Sequence, residues 1–153
     1  MNRFITTAII GLLAAPVFAD GHETGDAAKG EKGFKKCKSC HMIKADDDTL
    51  IVKGGKTGPN LYGIIGRTVA SADFKYGKSI AEIGETGAVW DFESFTAYVQ
   101  DPKKWVQDTL DDSKAKSKMS FKLKKGGDDV YAYLVSVGPE LPEAETEEET
   151  ESN

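Results

Sequence analysis

Cys37 and Cys40 are separated by two residues, and His41 follows directly. No other stretch restricts the fold of this chain as much. Residues three apart share one face of a helical turn, so both thiols point to the same side. Two such thiols with an imidazole beside them read as a c-type haem attachment site. The sulfurs bond the two vinyl groups of one porphyrin, and the histidine presents a ring nitrogen to its iron. A chain carrying this motif has to fold around a large, flat, mostly apolar group.

Other uses of these cysteines fit less well. A structural zinc site needs four ligands, and the chain holds only two Cys and two His, the second being His22 near the N-terminus. A thioredoxin-like pair belongs in a βαβ setting, whereas the flanking pattern here is helical and rich in glycine. A simple disulfide leaves His41 without a role.

The two ends differ from the body. Residues 1–19 have the form of a secretory signal peptide: Arg3, then an apolar run over 4–15, then Val17, Phe18 and Ala19 before the expected cleavage point. The apolar run is shorter than the roughly 20 residues that span a bilayer. Residues 139–153 carry seven glutamates and two prolines. Such a run buries too little apolar surface to offset its ordering entropy, so a disordered acidic tail is expected. The tail also sets the overall charge. The chain has 20 basic and 25 acidic residues; without Arg3 and the tail glutamates, 19 basic and 18 acidic residues remain over 20–138. The formal −5 therefore conceals a near-neutral, lysine-rich body of one-domain size.

The body predicts an all-α fold. Asp26 is placed to cap a helix over 27–38, with Gly30, Phe34 and Cys37 on one face. Glycine inside a helix costs up to about 1 kcal/mol relative to alanine, so Gly30 predicts a close crossing by another element. The partner expected is a C-terminal helix over 129–137, capped by Asp128, with Val130, Tyr133, Leu134 and Val137 in a stripe. A third helix is predicted over 92–100, capped by Asp91, with Phe92, Phe95 and Val99 inward. Pro102 ends it and starts a short helix through Lys104 and Trp105, and a further turn runs through Ile80 and Ile83. Most of these apolar residues serve packing. Strand-like alternation is scarce, and long loops over 45–60 and 108–118 join the helices. Loops of that length are unusual in a compact domain unless they wrap a prosthetic group.

The second iron ligand can be sought by counting. Of three methionines, Met1 leaves with the signal peptide and Met42 follows His41 too closely to reach the other face of the ring. Met119, between Lys118 and Ser120, remains. Its setting is too polar for ordinary core filling. Met119 is favoured over His22, which lies in a short terminal segment with little to hold it. A thioether favours ferrous iron and raises the potential relative to a second histidine.

Several ordered motifs now carry a resemblance: Gly30 with Phe34, the haem motif, the run Thr57, Gly58, Pro59, Asn60, Leu61, Tyr62 and Gly63, then Arg67, then Phe74, Lys75 and Tyr76, Trp90, Tyr98 with Pro102, and Lys118 with Met119. Over residues 25–137 the chain resembles the class I c-type cytochromes, in particular the bacterial periplasmic cytochrome c2 subgroup, which is similar to mitochondrial cytochrome c. The resemblance implies a small single-haem cytochrome c fold, with crossing N- and C-terminal helices and loops wrapped around the haem. It implies that the Pro59 carbonyl orients His41, and that Arg67, Tyr76 and Trp90 surround a buried propionate. It also places Tyr98 and Ser117 near the Met119 sulfur and Phe121 over the haem edge. Departures from the mitochondrial pattern are longer segments over 45–56 and before Met119, Ile80 nearest the place of a family asparagine, and the glutamate tail.

Iron held by His41 and Met119 has no open position, which favours outer-sphere one-electron transfer over substrate chemistry. The expected protein is a soluble periplasmic electron carrier and not an enzyme, with no small-molecule substrate and no nucleic acid partner. The alternative is a haem peroxidase or gas-binding sensor with a labile sixth ligand. Lys35, Lys36, Lys38, Lys56, Lys103, Lys104, Lys116, Lys118, Lys122, Lys124 and Lys125 fall in regions expected to flank the haem edge. As a group they predict a positive face that steers encounter with acidic partners and weakens with salt. The resemblance implies that a monomer docks there on membrane-bound redox complexes: a reducing cytochrome complex, and an oxidase, reductase or photosynthetic reaction centre that accepts the electron.

Overall fold

Asp26 opens the first helix, α1 (Ala27–Phe34), by accepting a hydrogen bond from the Lys29 backbone N–H at 3.0 Å. The structure, a computed structural model, describes residues 25–141. The signal peptide expected over 1–19, His22, and the part of the acidic tail beyond residue 141 lie outside the described residues.

Helix α1 ends four residues earlier than its periodicity predicts. Beyond Phe34 the chain winds on in tighter turns, with Lys36 N–H to the Gly33 carbonyl (3.1 Å) and Cys37 N–H to the Phe34 carbonyl (2.8 Å). Such i−3 bonds commonly satisfy the groups left over at a helix end. The haem motif therefore occupies a helical turn appended to α1 rather than the helix itself.

The loop expected over 45–60 is partly ordered as a hairpin. Strands β1 (Ile43–Lys44) and β2 (Leu50–Val52) pair antiparallel, Ile43 opposite Val52, with an irregularity between Ile43 and Lys44. Asn60 braces the hairpin from outside: its side-chain oxygen accepts from Lys44 N–H at 3.0 Å and its amide donates to the Lys44 carbonyl at 2.7 Å.

The turn predicted at Ile80 and Ile83 is a full helix, α2 (Lys78–Glu85), with both isoleucines buried. Helix α3 (Phe92–Gln100) has the predicted bounds. Asp91 and Ser94 cap it reciprocally, each side chain accepting from the other's backbone N–H, at 2.7 and 3.0 Å. Phe95 and Val99 are buried; Phe92 is only half-buried, edge-on to Tyr131. Helix α4 (Pro102–Leu110) runs well past Trp105, because Val106 is fully buried and anchors another turn before Asp111 closes it in the left-handed conformation. Helix α5 (Gly127–Val137) starts before the expected Asp129. Asp128 is not its cap; Gly126 is, at φ 78°, and both aspartates sit in the first turn, where a carboxylate faces the positive helix end.

Helices α1 and α5 cross, as Gly30 predicts. A methyl group on Gly30 would lie 1.9 Å from the Asp129 carbonyl oxygen and 2.7 Å from Tyr133 Cβ. Asp129 also accepts a hydrogen bond from Asp26 N–H at 2.8 Å, and the Phe34 and Tyr133 rings meet at 5.7 Å. The crossing joins a core of Phe34, Ile43, Ile83, Val106, Val130 and Leu134. Gly30→Ala is expected to destabilise the holoprotein by about 3 kcal/mol, the upper part of the overpacking range, measured by denaturant unfolding. The clash is with backbone, which cannot rotate away.

Candidate haem site

Three separate segments close on one cavity of about 290 Å³: the turn after α1, the 57–64 segment, and the 118–123 segment, with Tyr76, Ile80, Trp90, Phe95 and Tyr98 completing the lining. Nine of the residues singled out in the sequence line it: Cys37, Cys40, His41, Pro59, Tyr76, Trp90, Tyr98, Met119 and Phe121. Arg67 and Ser117 do not, and each is bonded to the wall from behind. The Arg67 guanidinium donates to the Tyr62 carbonyl, and its charge acts on the Tyr76 phenol. Ser117 Oγ lies 3.4 Å from the Tyr98 hydroxyl and accepts from Met119 N–H at 3.1 Å.

The motif turn is held by its own backbone and by the 55–61 segment. His41 N–H and Cys40 N–H both donate to the Cys37 carbonyl at 3.0 Å. Gly55 N–H reaches the Lys38 carbonyl (2.9 Å), Gly58 N–H the Cys40 carbonyl (2.9 Å) and Leu61 N–H the Met42 carbonyl (3.0 Å). This lacing brings the Pro59 carbonyl 2.8 Å from His41 Nδ1. A carbonyl can only accept, so Nδ1 carries the proton and Nε2 keeps its lone pair. Burial pushes the His41 pKa down, against the Pro59 bond that raises it, so the buried setting favours the neutral ring. Burial likewise pushes the Cys37 thiol up to about 11, with nearby Lys36 opposing it.

Aromatic rings form the far part of the lining. Trp90 is buried between Tyr98 (centroids 4.9 Å apart) and Trp105, on which it stacks at 5.3 Å and 30°. Burial raises the Tyr98 phenol, with the Ser117 bond opposing, so this hydroxyl keeps its proton at neutral pH. The Met119 segment is fastened across a gap in sequence. Lys118 Nζ donates to the Lys75 and Tyr76 carbonyls at 3.0 and 3.2 Å, and Lys116 N–H to Ser79 Oγ at 3.2 Å.

Gly58 and Trp105 contribute to the site in ways the sequence motifs do not state. Gly58 lies against the imidazole: a methyl there would come within 2.3 Å of His41 Cε1. Trp105 was placed only on a short helix, yet it backs Trp90. Ile80, the residue nearest the place of the family asparagine, is buried and lines the cavity. Among the described residues no three His, Cys, Asp or Glu side chains gather to hold a metal.

The donor set fits haem c. Two thiols and a neutral imidazole share one turn, glycine makes room for the ring, a thioether lies in the same lining, and apolar and aromatic residues dominate the rest. Fold and site together are those of a c-type cytochrome. No protein-family model matches the chain. It is 57% identical over 140 residues to cytochrome c2 of Rhodobacter capsulatus, an alignment covering 90% of this chain and 98% of that one. It is 50% identical over 157 aligned positions to cytochrome c-550 of Paracoccus denitrificans, covering 100% and 99%. The solved structure of the Paracoccus denitrificans cytochrome c2 superposes with a TM-score of 0.74 at 52% identity, over 76% of this chain and 99% of that one. The chain belongs to the cytochrome c2/c-550 family of class I c-type cytochromes, soluble electron carriers with one covalent haem c. The peroxidase or gas-sensor alternative finds no support among these relatives.

Proposed function

We propose that this protein is a monomeric periplasmic electron carrier whose haem is held by Cys37 and Cys40 and ligated by His41 and Met119. The observation that carries the ligand assignment is the meeting of Met119 with the cysteine–histidine turn in one cavity lining. When bound, haem c supplies a one-electron iron couple. The chain's own residues do the rest. Pro59 fixes the His41 tautomer and strengthens the ring as a donor, while Gly58 leaves space for it. Ser117 and Tyr98 position the Met119 backbone and wall. Tyr76 and Trp90, with Arg67 behind them, supply polar groups for a propionate, which inside a protein needs partners. Phe121, 40% exposed, covers the cavity edge. His41 and Met119 together would leave the iron no open position for a substrate, so we infer that the protein transfers electrons and catalyses no reaction.

Residues 1–19 would direct export and be removed, and no described helix is long and apolar enough to cross a membrane. The lysines around the cavity would dock the carrier on acidic faces of membrane redox complexes, with rates that fall as salt rises. Spectra of the purified ferric and ferrous protein test the core of this reading. A low-spin ferric form with a weak thioether-to-iron band is expected. A high-spin ferric form that binds carbon monoxide readily once reduced would overturn it.

A further inference from the structure

The C-terminus does not simply trail off α5. Pro139 packs over Gly63 and Leu141 over Gly66: a methyl on Gly63 would stand 3.1 Å from the Pro139 ring, and one on Gly66 3.4 Å from Leu141. The chain is thus turned back onto the segment whose Leu61 and Ile64 line the haem cavity. From there residues 142–153 follow, with six glutamates and no basic residue. Fully extended, twelve residues reach about 40 Å, against a radius of gyration of about 13 Å for a domain of 100 residues. Every face of the body lies within range.

The lysine distribution supplies the complement. Described ion pairs take up Lys29, Lys44, Lys104 and Lys122. Lys36 and Lys118 line the cavity, and no described carboxylate pairs with Lys36, Lys38, Lys56 or Lys116. A surface that keeps its cations unpaired attracts the densest available acidic segment, and this chain carries one. Linked through a short tether, that segment is present at an effective concentration in the millimolar range.

We propose that segment 142–153 occupies the lysine surface around the haem cavity in the free protein and must be displaced by an acidic partner. The idea rests on the lysine docking face proposed above. The segment acts as an internal competitor that lowers affinity for weakly acidic surfaces and leaves strongly acidic ones able to bind. The attraction is ionic, so the competition fades with salt.

The test compares full-length holoprotein, holoprotein ending at Leu141, and a full-length variant with the six glutamates changed to glutamine. Amide spectra at about 20 mM salt should differ between full length and both variants at Lys36, Lys38, Lys56 and Lys116, and the differences should vanish near 0.5 M, where the Debye length is only a few Å. Both variants should bind vesicles of phosphatidylglycerol and phosphatidylcholine about tenfold more tightly than full length at low salt. Differences confined to residues 138–141, or unchanged by salt, would overturn the proposal, as would equal vesicle affinities for all three proteins. If none of the three binds vesicles while the salt-dependent amide differences persist, the docking face fails and the internal contact stands.

Discussion

Met119→Ala holoprotein is expected to turn high-spin in the ferric state, to bind carbon monoxide when reduced, and to lose its thioether-to-iron band. The reduction potential should fall on the order of 0.2 V, a fraction of the roughly 0.8 V range that axial ligands control. The reason is electronic. A neutral thioether stabilises ferrous iron; water or an empty position does not. The surroundings make the change readable, because the Met119 segment is tied at Ser117, at Lys116 through Ser79, and at Lys118 through Lys75 and Tyr76. None of these bonds uses the methionine side chain, so the loop should keep its course while the sulfur disappears. An unchanged low-spin spectrum in Met119→Ala would show that the Met119 sulfur is not the ligand; if the wild-type protein itself is low-spin but lacks the band, His22→Ala is the decisive second variant.

The parts of this molecule that were legible in the sequence are those fixed by local chemistry. Helix α3 announces itself twice, through the Asp91 cap and through Phe95 and Val99 one turn apart. Gly30 predicted a helix crossing because a buried glycine in a helix has few other uses. The haem motif is read within five residues, and a count singles out Met119, which lies in the same cavity lining as that motif. The errors arose where the deciding partner is distant. Helix α4 looks finished at Trp105 because Lys103, Lys104, Gln107 and Asp108 outnumber its apolar residues, and only burial of Val106 extends it. The β1–β2 hairpin is too short for alternation to register, and three consecutive aspartates from Asp46 to Asp48 read as open loop. At α5 the aspartates invited a cap assignment, whereas Gly126 supplies the left-handed residue and the carboxylates serve the first turn. Arg67 and Ser117 stand just outside the cavity lining, bonded to Tyr62, Tyr98 and Met119, a placement set by partners distant in sequence.

Gly58→Ala is expected to strike the His41 imidazole directly. Its Cβ would stand 2.3, 2.6 and 2.8 Å from Cε1, Nδ1 and Nε2 of His41, all far inside the roughly 3.5–4.0 Å of a normal contact. Three ring atoms are struck at once, so rotating the imidazole about its bond to Cβ offers little relief. Retreat of the loop is also blocked, since Gly58 N–H is bonded to the Cys40 carbonyl in the haem motif itself. One of two bonds has to break: that one, or the 2.8 Å bond from Nδ1 to the Pro59 carbonyl. Either loss misorients the ring. The expected result is a holoprotein less stable by about 3 kcal/mol, with a shifted potential and altered paramagnetic shifts of the His41 ring protons. Pro59→Ala is the control. It removes the pyrrolidine ring but keeps the accepting carbonyl, so it should retain the His41 signature and lose at most about 1 kcal/mol of stability from added chain freedom. A Gly58→Ala protein with wild-type potential and unfolding midpoint would mean that the imidazole is free to move. The Pro59 carbonyl would then be a neighbour of His41 and not what orients it.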